Sequence, residues 1–283
     1  MNPFDSFVKT KDFLVCVDSD GCAMDTMDIK HFRCFGPCMV DEWHLDAWRA
    51  PILDRWNELN LYQMTRGINR FKGLAMALAE IHQQYTPIAG LDALEHWVET
   101  TKALSNDALT EAIEQSNDET TRAVLTKALH WSQAVNASIN TLPESEKKPF
   151  VGAKEGLAAA AKVANVAIVS SANRDAVMDE WQANGLLEHV DIVLAQDCGS
   201  KAHCIAKLLE QGYAPDHVLM VGDAPGDRDA AAKNGVYFYP IQVRKEQESW
   251  DALESSALIP LTNGTYGEWE PKHIAAFVAN LGG

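Results

Sequence analysis

The sequence predicts an α/β fold: a doubly wound parallel sheet interrupted by an inserted, all-helical domain. Three observations predict it. Short apolar runs rich in β-branched residues occur at residues 13–18 and recur between 166 and 239. Helix-length amphipathic stretches alternate with these later runs, as strands joined by crossover helices require. Between the first run and the rest, from about residue 28 to 148, apolar residues recur at helical spacing and strand candidates are absent.

The first strand is Phe13-Leu14-Val15-Cys16-Val17, ending at Asp18; a continuous apolar run of this length suits a strand covered on both faces. In the inserted region, Leu45, Trp48, Ile52, Trp56 and Leu59 fall three and four residues apart and mark one helix face. Leu74, Leu78 and Ile81 mark a second, Leu91, Leu94, Trp97 and Val98 a third, and Val124, Ala128 and Val135 a later one. Thr65-Arg66-Gly67, Thr86-Pro87, Ser105-Asn106-Asp107 and Ser116-Asn117-Asp118 supply the turns between them. The tryptophans at 43, 48, 56, 97 and 131 are expected in the core of this helical domain. A polar run, Pro143 to Pro149, closes the insertion. Helices near 153–162, 174–184, 201–211 and 227–234 then precede strands at 166–169, 192–194, 218–221 and 236–239. The domains are therefore residues 1–27 with 149–283 (sheet) and 28–148 (helices).

The chain has 283 residues, 47% hydrophobic, enough for a sizeable core, and a formal net charge of -16. That charge disfavours nucleic acid and anionic membranes as partners. No apolar run approaches the ~20 residues that span a bilayer. The N-terminus lacks the basic-then-apolar pattern of a signal peptide, so a cytoplasmic location is expected. The six cysteines include no Cys-x-x-Cys pair and read as reduced thiols.

Ligands of open parallel sheets bind beyond the carboxyl ends of the strands. The residues there are chemically informative. Asp18-Ser19-Asp20-Gly21-Cys22 follows the first strand, and Ser170-Ser171-Ala172-Asn173 the second. Gly222-Asp223-Ala224-Pro225-Gly226-Asp227 follows Val218–Val221, and Lys201 opens the helix leading into that strand. Carboxylates gathered at one sheet edge repel one another unless a cation sits among them, and oxygen-only donors suit Mg²⁺. A metal and a lysine together neutralise phosphoryl oxygens, one carboxylate attacks phosphorus, and another handles the proton.

These four segments, in this order, resemble the motifs of the haloacid dehalogenase superfamily. The resemblance covers the whole sheet-forming half and implies its Rossmann-like core. It implies that Asp18 is the nucleophile and a magnesium ligand, and that Asp20 is the general acid/base and contributes its backbone carbonyl to the metal. Ser170 takes the place of the hydroxyl that donates to the phosphoryl group, with Ser171 and Asn173 beside it as candidate substrate contacts. Lys201 matches the motif lysine; Asp223 and Asp227 match the acidic pair of the metal site. The presence of Asp20 points to phosphate monoesters rather than to dehalogenation. Cys22 departs from the pattern, because the phosphatases usually carry Thr there; it is expected to support the loop, with a change in rate or sensitivity to oxidation as its consequence. The helical insertion takes the place of the family's cap, and the segment between Ser170 and Lys201 leaves no room for a second one.

Within the insertion, Arg66 and Arg70 flank a turn and are candidate substrate-binding groups, since guanidinium forks suit phosphate and carboxylate. The function expected is a Mg²⁺-dependent phosphatase acting on a small phosphorylated metabolite. A phosphomutase shares the same motifs. A phospho-accepting signalling domain or a non-catalytic binding protein are the alternatives from other classes.

Overall fold

A computed structural model describes residues 3–283. Five strands form one sheet: β1 (Phe13–Val17), β2 (Ala164–Val169), β3 (Ile192–Leu194), β4 (Val218–Gly222) and β5 (Tyr237–Pro240). Their order is β3-β2-β1-β4-β5, and all four pairings are parallel. β1 is central, with Val17 opposite Ile168 of β2 and Val221 of β4. The chain winds outward from β1 to β3 and then crosses to β4, so the direction of winding reverses between β1 and β4. A crevice opens at such a reversal, beyond the carboxyl ends of the strands.

The strands are almost wholly buried, which explains why they read as unbroken apolar runs. β2 starts two residues before the predicted Val166, at Ala164. The polar residue that hid this start is Asn165. Its Oδ1 accepts from Thr10 N, Lys11 N and the Tyr213 hydroxyl, and its Nδ2 donates to Thr10 Oγ1 and Asp191 Oδ2. A buried amide with this many partners costs little. At the outer edge of β5, Phe238 N donates to Glu270 Oε1 (2.8 Å) and Phe238 O accepts from the Tyr266 hydroxyl (2.7 Å). Both come from the C-terminal helix Tyr266–Asn280, which shields an otherwise open sheet edge.

The chain separates into two compact units, residues 1–27 with 143–283 and residues 28–142. Residues 143–148, assigned from sequence to the helical domain, group with the sheet. Asp25 N donates to Lys148 O (2.8 Å), and Asn184 Nδ2 donates to Lys147 O (3.0 Å).

Unit 28–142 contains, among its described residues, helices and no strand. Its principal helices are Arg49–Leu61, Arg70–Gln84, Leu91–Thr100, Asn106–Gln115 and Glu119–Asn140. Asn69, Ser105 and Asp118 cap three of them by accepting the backbone N–H of Phe71, Ala108 and Thr121. The centre holds Trp56, Phe71, Leu74, Leu78 and Trp131, all buried, with the rings of Trp56 and Phe71 edge-on to Trp131. Trp43 and Trp97 join this core and Trp48 packs partly buried at its margin.

Candidate active site

Asp18 is the first residue beyond β1, and its N–H still donates to Val221 O of β4 (3.0 Å). The chain then turns sharply. Ser19 O accepts the N–H groups of Cys22, Ala23 and Met24, and Gly21 adopts φ 82°, a left-handed conformation that glycine permits. This turn fixes the Asp18 carboxylate: Ser19 N donates to Oδ1 (2.8 Å) and Lys201 Nζ to Oδ2 (2.7 Å).

Lys201, in the first turn of helix Lys201–Leu209, also binds Asp227 Oδ1 (2.6 Å). Asp227 lies in the first turn of helix Pro225–Asn234, where its Oδ2 accepts from Asp223 N (3.2 Å) and Ala224 N (3.0 Å). It thus caps its own helix while presenting its other oxygen to the lysine. Asp18, Asp223 and Asp227 each offer a carboxylate oxygen, and these three oxygens lie within 4.8 Å of one another. All three residues are buried.

Burial pushes the Asp18 carboxyl up to about 8, and Asp227 and Asp223 push it the same way, while Lys201 pulls against them. Burial would lower the Lys201 ammonium, yet the carboxylates of Asp18 and Asp227 outweigh it and hold the lysine above its ordinary value. Three acidic side chains share this buried site with one ammonium, so acid oxygens outnumber the cation, and a hard dication with oxygen preference would offset the repulsion among them. The donor set therefore fits Mg²⁺.

The other predicted residues of the sheet-forming unit stand on the turns that follow β1 and β2. Asp20, half-buried in the same turn, accepts from the buried Thr26 hydroxyl through Oδ1 (2.6 Å). Ser170 follows β2, beside β1, with its N–H on Leu194 O (2.9 Å) and its Oγ accepting from Ala172 N (3.1 Å). Ser171 is exposed on the same turn. Asn173 Oδ1 accepts from Asp175 N and Ala176 N and so caps helix Arg174–Ala183. The two arginines have partners inside the helical unit. Arg66 is buried; its Nη1 donates to Leu61 O (2.7 Å) and lies 4.0 Å from Asp28 Oδ1. Arg70 Nη1 donates to Asn136 Oδ1 (2.8 Å) and Ser132 Oγ (3.1 Å), and the guanidinium stacks over the Phe35 ring.

A family model described as haloacid dehalogenase-like hydrolase matches residues 77–241. The chain belongs to the haloacid dehalogenase-like hydrolase family. The matched segment holds Ser170, Lys201, Asp223 and Asp227; Asp18 and Asp20 precede it, and the parallel pairing of β1 with β4 brings Asp18 to the others. Comparison with curated proteins found no match. Among solved structures, a haloacid dehalogenase-like family hydrolase from Streptococcus pneumoniae is similar, at 11% identity and a TM-score of 0.44, over 84% of this chain and 90% of that one. A subfamily IA hydrolase from Geobacter sulfurreducens is similar at 16% identity and a TM-score of 0.39, over 82% and 90%. The YfnB protein of Bacillus subtilis, in a structure bound to magnesium, is similar at 13% identity and a TM-score of 0.41, over 82% and 87%.

In this haloacid dehalogenase-like hydrolase, Cys22 is wholly buried, and its thiol donates to Val221 O (3.6 Å). Burial, reinforced by Asp223, Asp18 and Asp227, holds the thiol well above its ordinary value. A protonated, inaccessible thiol is a poor nucleophile, so the oxidation sensitivity expected from sequence is not supported. Sequence patterns also left out Thr26, which orients Asp20, and two tryptophans that bond to the Asp18 turn. Trp181 Nε1 donates to Ser19 Oγ and Trp250 Nε1 to Cys22 O, both at 2.9 Å. These pairs are 162 and 228 residues apart, so no local pattern signals them.

Proposed function

We propose that this hydrolase is a Mg²⁺-dependent phosphatase that removes phosphate from a small phosphorylated metabolite through an aspartyl phosphate on Asp18. The observation that carries the reading is the buried cluster of the Asp18, Asp223 and Asp227 carboxylates, two of which, Asp18 and Asp227, hold the Lys201 ammonium. Asp18, Asp223 and Asp227, with the backbone carbonyl of Asp20, would hold the metal. Magnesium, when bound, supplies positive charge that offsets the phosphoryl oxygens.

The chain's own groups account for the remaining chemistry. Lys201 works against the burial that raises the Asp18 carboxyl and shares its charge with the incoming phosphoryl group. An Asp18 oxygen attacks phosphorus in line with the leaving oxygen, giving a mixed anhydride. Asp20, rotationally fixed by Thr26, gives a proton to the leaving oxygen. It then takes one from the water that attacks the phosphorus of the aspartyl phosphate, releasing inorganic phosphate and regenerating Asp18. Ser170 donates to a phosphoryl oxygen.

The test is a screen of phosphorylated metabolites and p-nitrophenyl phosphate with Mg²⁺ and with excess chelator. Inorganic phosphate should appear only with Mg²⁺, and a folded Asp18→Asn variant should release none. Undiminished turnover in chelator or in Asp18→Asn contradicts the proposal. Return of the phosphoryl group to the substrate, with no free phosphate, identifies a phosphomutase instead.

A further inference from the structure

We propose that Trp181 is a positioning residue for the Asp18 carboxylate, acting through Ser19; the inference rests on the phosphatase reading above. Every polar group of Ser19 has a defined partner. Its N–H holds Asp18 Oδ1 at 2.8 Å, its C=O closes the turn onto Cys22, Ala23 and Met24, and its Oγ accepts the Trp181 indole N–H at 2.9 Å. Ser19 and Trp181 are both fully buried, so water cannot replace this bond.

The Asp18 carboxylate has two anchors of unequal stiffness. Lys201 ends a flexible four-carbon stem and divides its ammonium between Asp18 and Asp227. The Ser19 N–H belongs to a rigid peptide plane, so it sets the rotation of the carboxylate. The Ser19 side chain is held from outside the turn by the indole of Trp181, carried by helix Arg174–Ala183. Reacting atoms must be aligned to a fraction of an ångström, and a displacement of about 1 Å costs about a hundredfold in rate. A small rotation of Ser19 therefore reaches the chemistry without unfolding the sheet.

Trp250 supplies an internal comparison. It is also a buried indole with a 2.9 Å bond to the same turn, but its acceptor belongs to Cys22, whose N–H donates to Ser19 O and not to the Asp18 carboxylate. Packing loss alone predicts equal consequences for both tryptophans; positioning predicts that kcat follows Trp181.

The experiment uses the full chain with p-nitrophenyl phosphate and Mg²⁺, together with calorimetric titration of Mg²⁺. Trp181→Phe, which keeps the ring and removes the N–H, should lower kcat about tenfold, the rate equivalent of one hydrogen bond, and leave KM within about twofold. Ser19→Ala, a small change that folds if Trp181→Phe does not, should do the same, and the double variant should be no slower than either. Trp250→Phe should keep kcat within about twofold at a comparable loss of melting temperature. The Mg²⁺ dissociation constant should rise severalfold in Trp181→Phe, since Asp18 belongs to the acidic cluster. An unchanged kcat in Trp181→Phe, additive losses in the double variant, or an equal kcat loss in Trp250→Phe overturns the proposal. If Asp18→Asn retains turnover, the phosphatase reading fails; the Mg²⁺ titration still decides the positioning role, and an unchanged constant refutes it.

Discussion

Gly222 is where a single methyl group should do the most damage. A Cβ at this position would stand 2.4 Å from Cβ, Cγ and Oδ2 of Asp227. Carbon atoms pack at about 3.5–4.0 Å, so the overlap exceeds 1 Å. Asp227 has little room to yield. It is fully buried, and its oxygens hold Asp223 N, Ala224 N and Lys201 Nζ at 3.2, 3.0 and 2.6 Å. Gly222 does not occupy the left-handed region, so the backbone itself would accept alanine, and the penalty is steric. Forcing a methyl into a packed site costs about 1–3 kcal/mol, and loss of the helix cap adds about 1 kcal/mol. Gly222→Ala should therefore lose about 2–4 kcal/mol in urea unfolding, with a fall in melting temperature on the order of 10 °C. Its displaced Asp227 also releases Lys201, and with it one anchor of Asp18, so kcat should fall at least about a hundredfold. Wild-type stability together with a kcat within twofold would refute the steric argument and the coupling from Gly222 to Asp18.

Three further outcomes are expected. Thr26→Val removes the 2.6 Å bond that orients Asp20 and should slow both formation and breakdown of the phosphoenzyme about tenfold in rapid-quench experiments; a variant slow in hydrolysis alone would contradict the dual proton role. In the native protein, iodoacetamide should modify the partly exposed Cys38 and Cys198 well before the buried Cys22, as mapped by peptide mass spectrometry; early labelling of Cys22 would show that the thiol is accessible after all. Metal affinity should depend on pH. The Asp18 carboxyl is raised to about 8 in the metal-free fold, so its contribution to stability is full below the ordinary carboxylate value near 4 and is lost as pH rises through about 8. Mg²⁺ must displace that proton. Its calorimetric affinity should therefore climb up to about tenfold per pH unit below 8 and level off above, whereas a flat profile from pH 6 to 9 would argue against a protonated Asp18 in the metal-free site.

What could be read from the sequence follows the range of the forces involved. β1 and β4 were visible because strands buried on both faces leave unbroken apolar runs, and Asp18 and Asp223 stand immediately beyond their ends. Lys201 and Asp227 were legible as the starts of helices that follow and precede recognisable strands. Interactions set by tertiary structure were not. Arg66 flanks a turn and was legible as a candidate substrate-binding group, but its burial and its bond to the Leu61 carbonyl five residues earlier were not. From sequence β2 reads as beginning at Val166, because the polar Asn165, a bonded interior residue, interrupts the apolar run. The helical C-terminal region after β5 gave no expectation, because a π-helical turn at Glu254–Leu258 and prolines at 260 and 271 blur the helical period. The tryptophan contacts to Ser19 and Cys22 required the fold itself.

The most direct test of the central claim is to capture the intermediate. The enzyme, mixed with substrate and Mg²⁺, is quenched in acid within one turnover and digested, and its peptides are weighed. The account predicts one phosphoryl group on the peptide that contains Asp18, appearing no later than the first product and absent from Asp18→Asn. A phosphoryl group on any other residue, or steady turnover with no phosphorylated Asp18 peptide in a quench series that covers the first turnover, would contradict it.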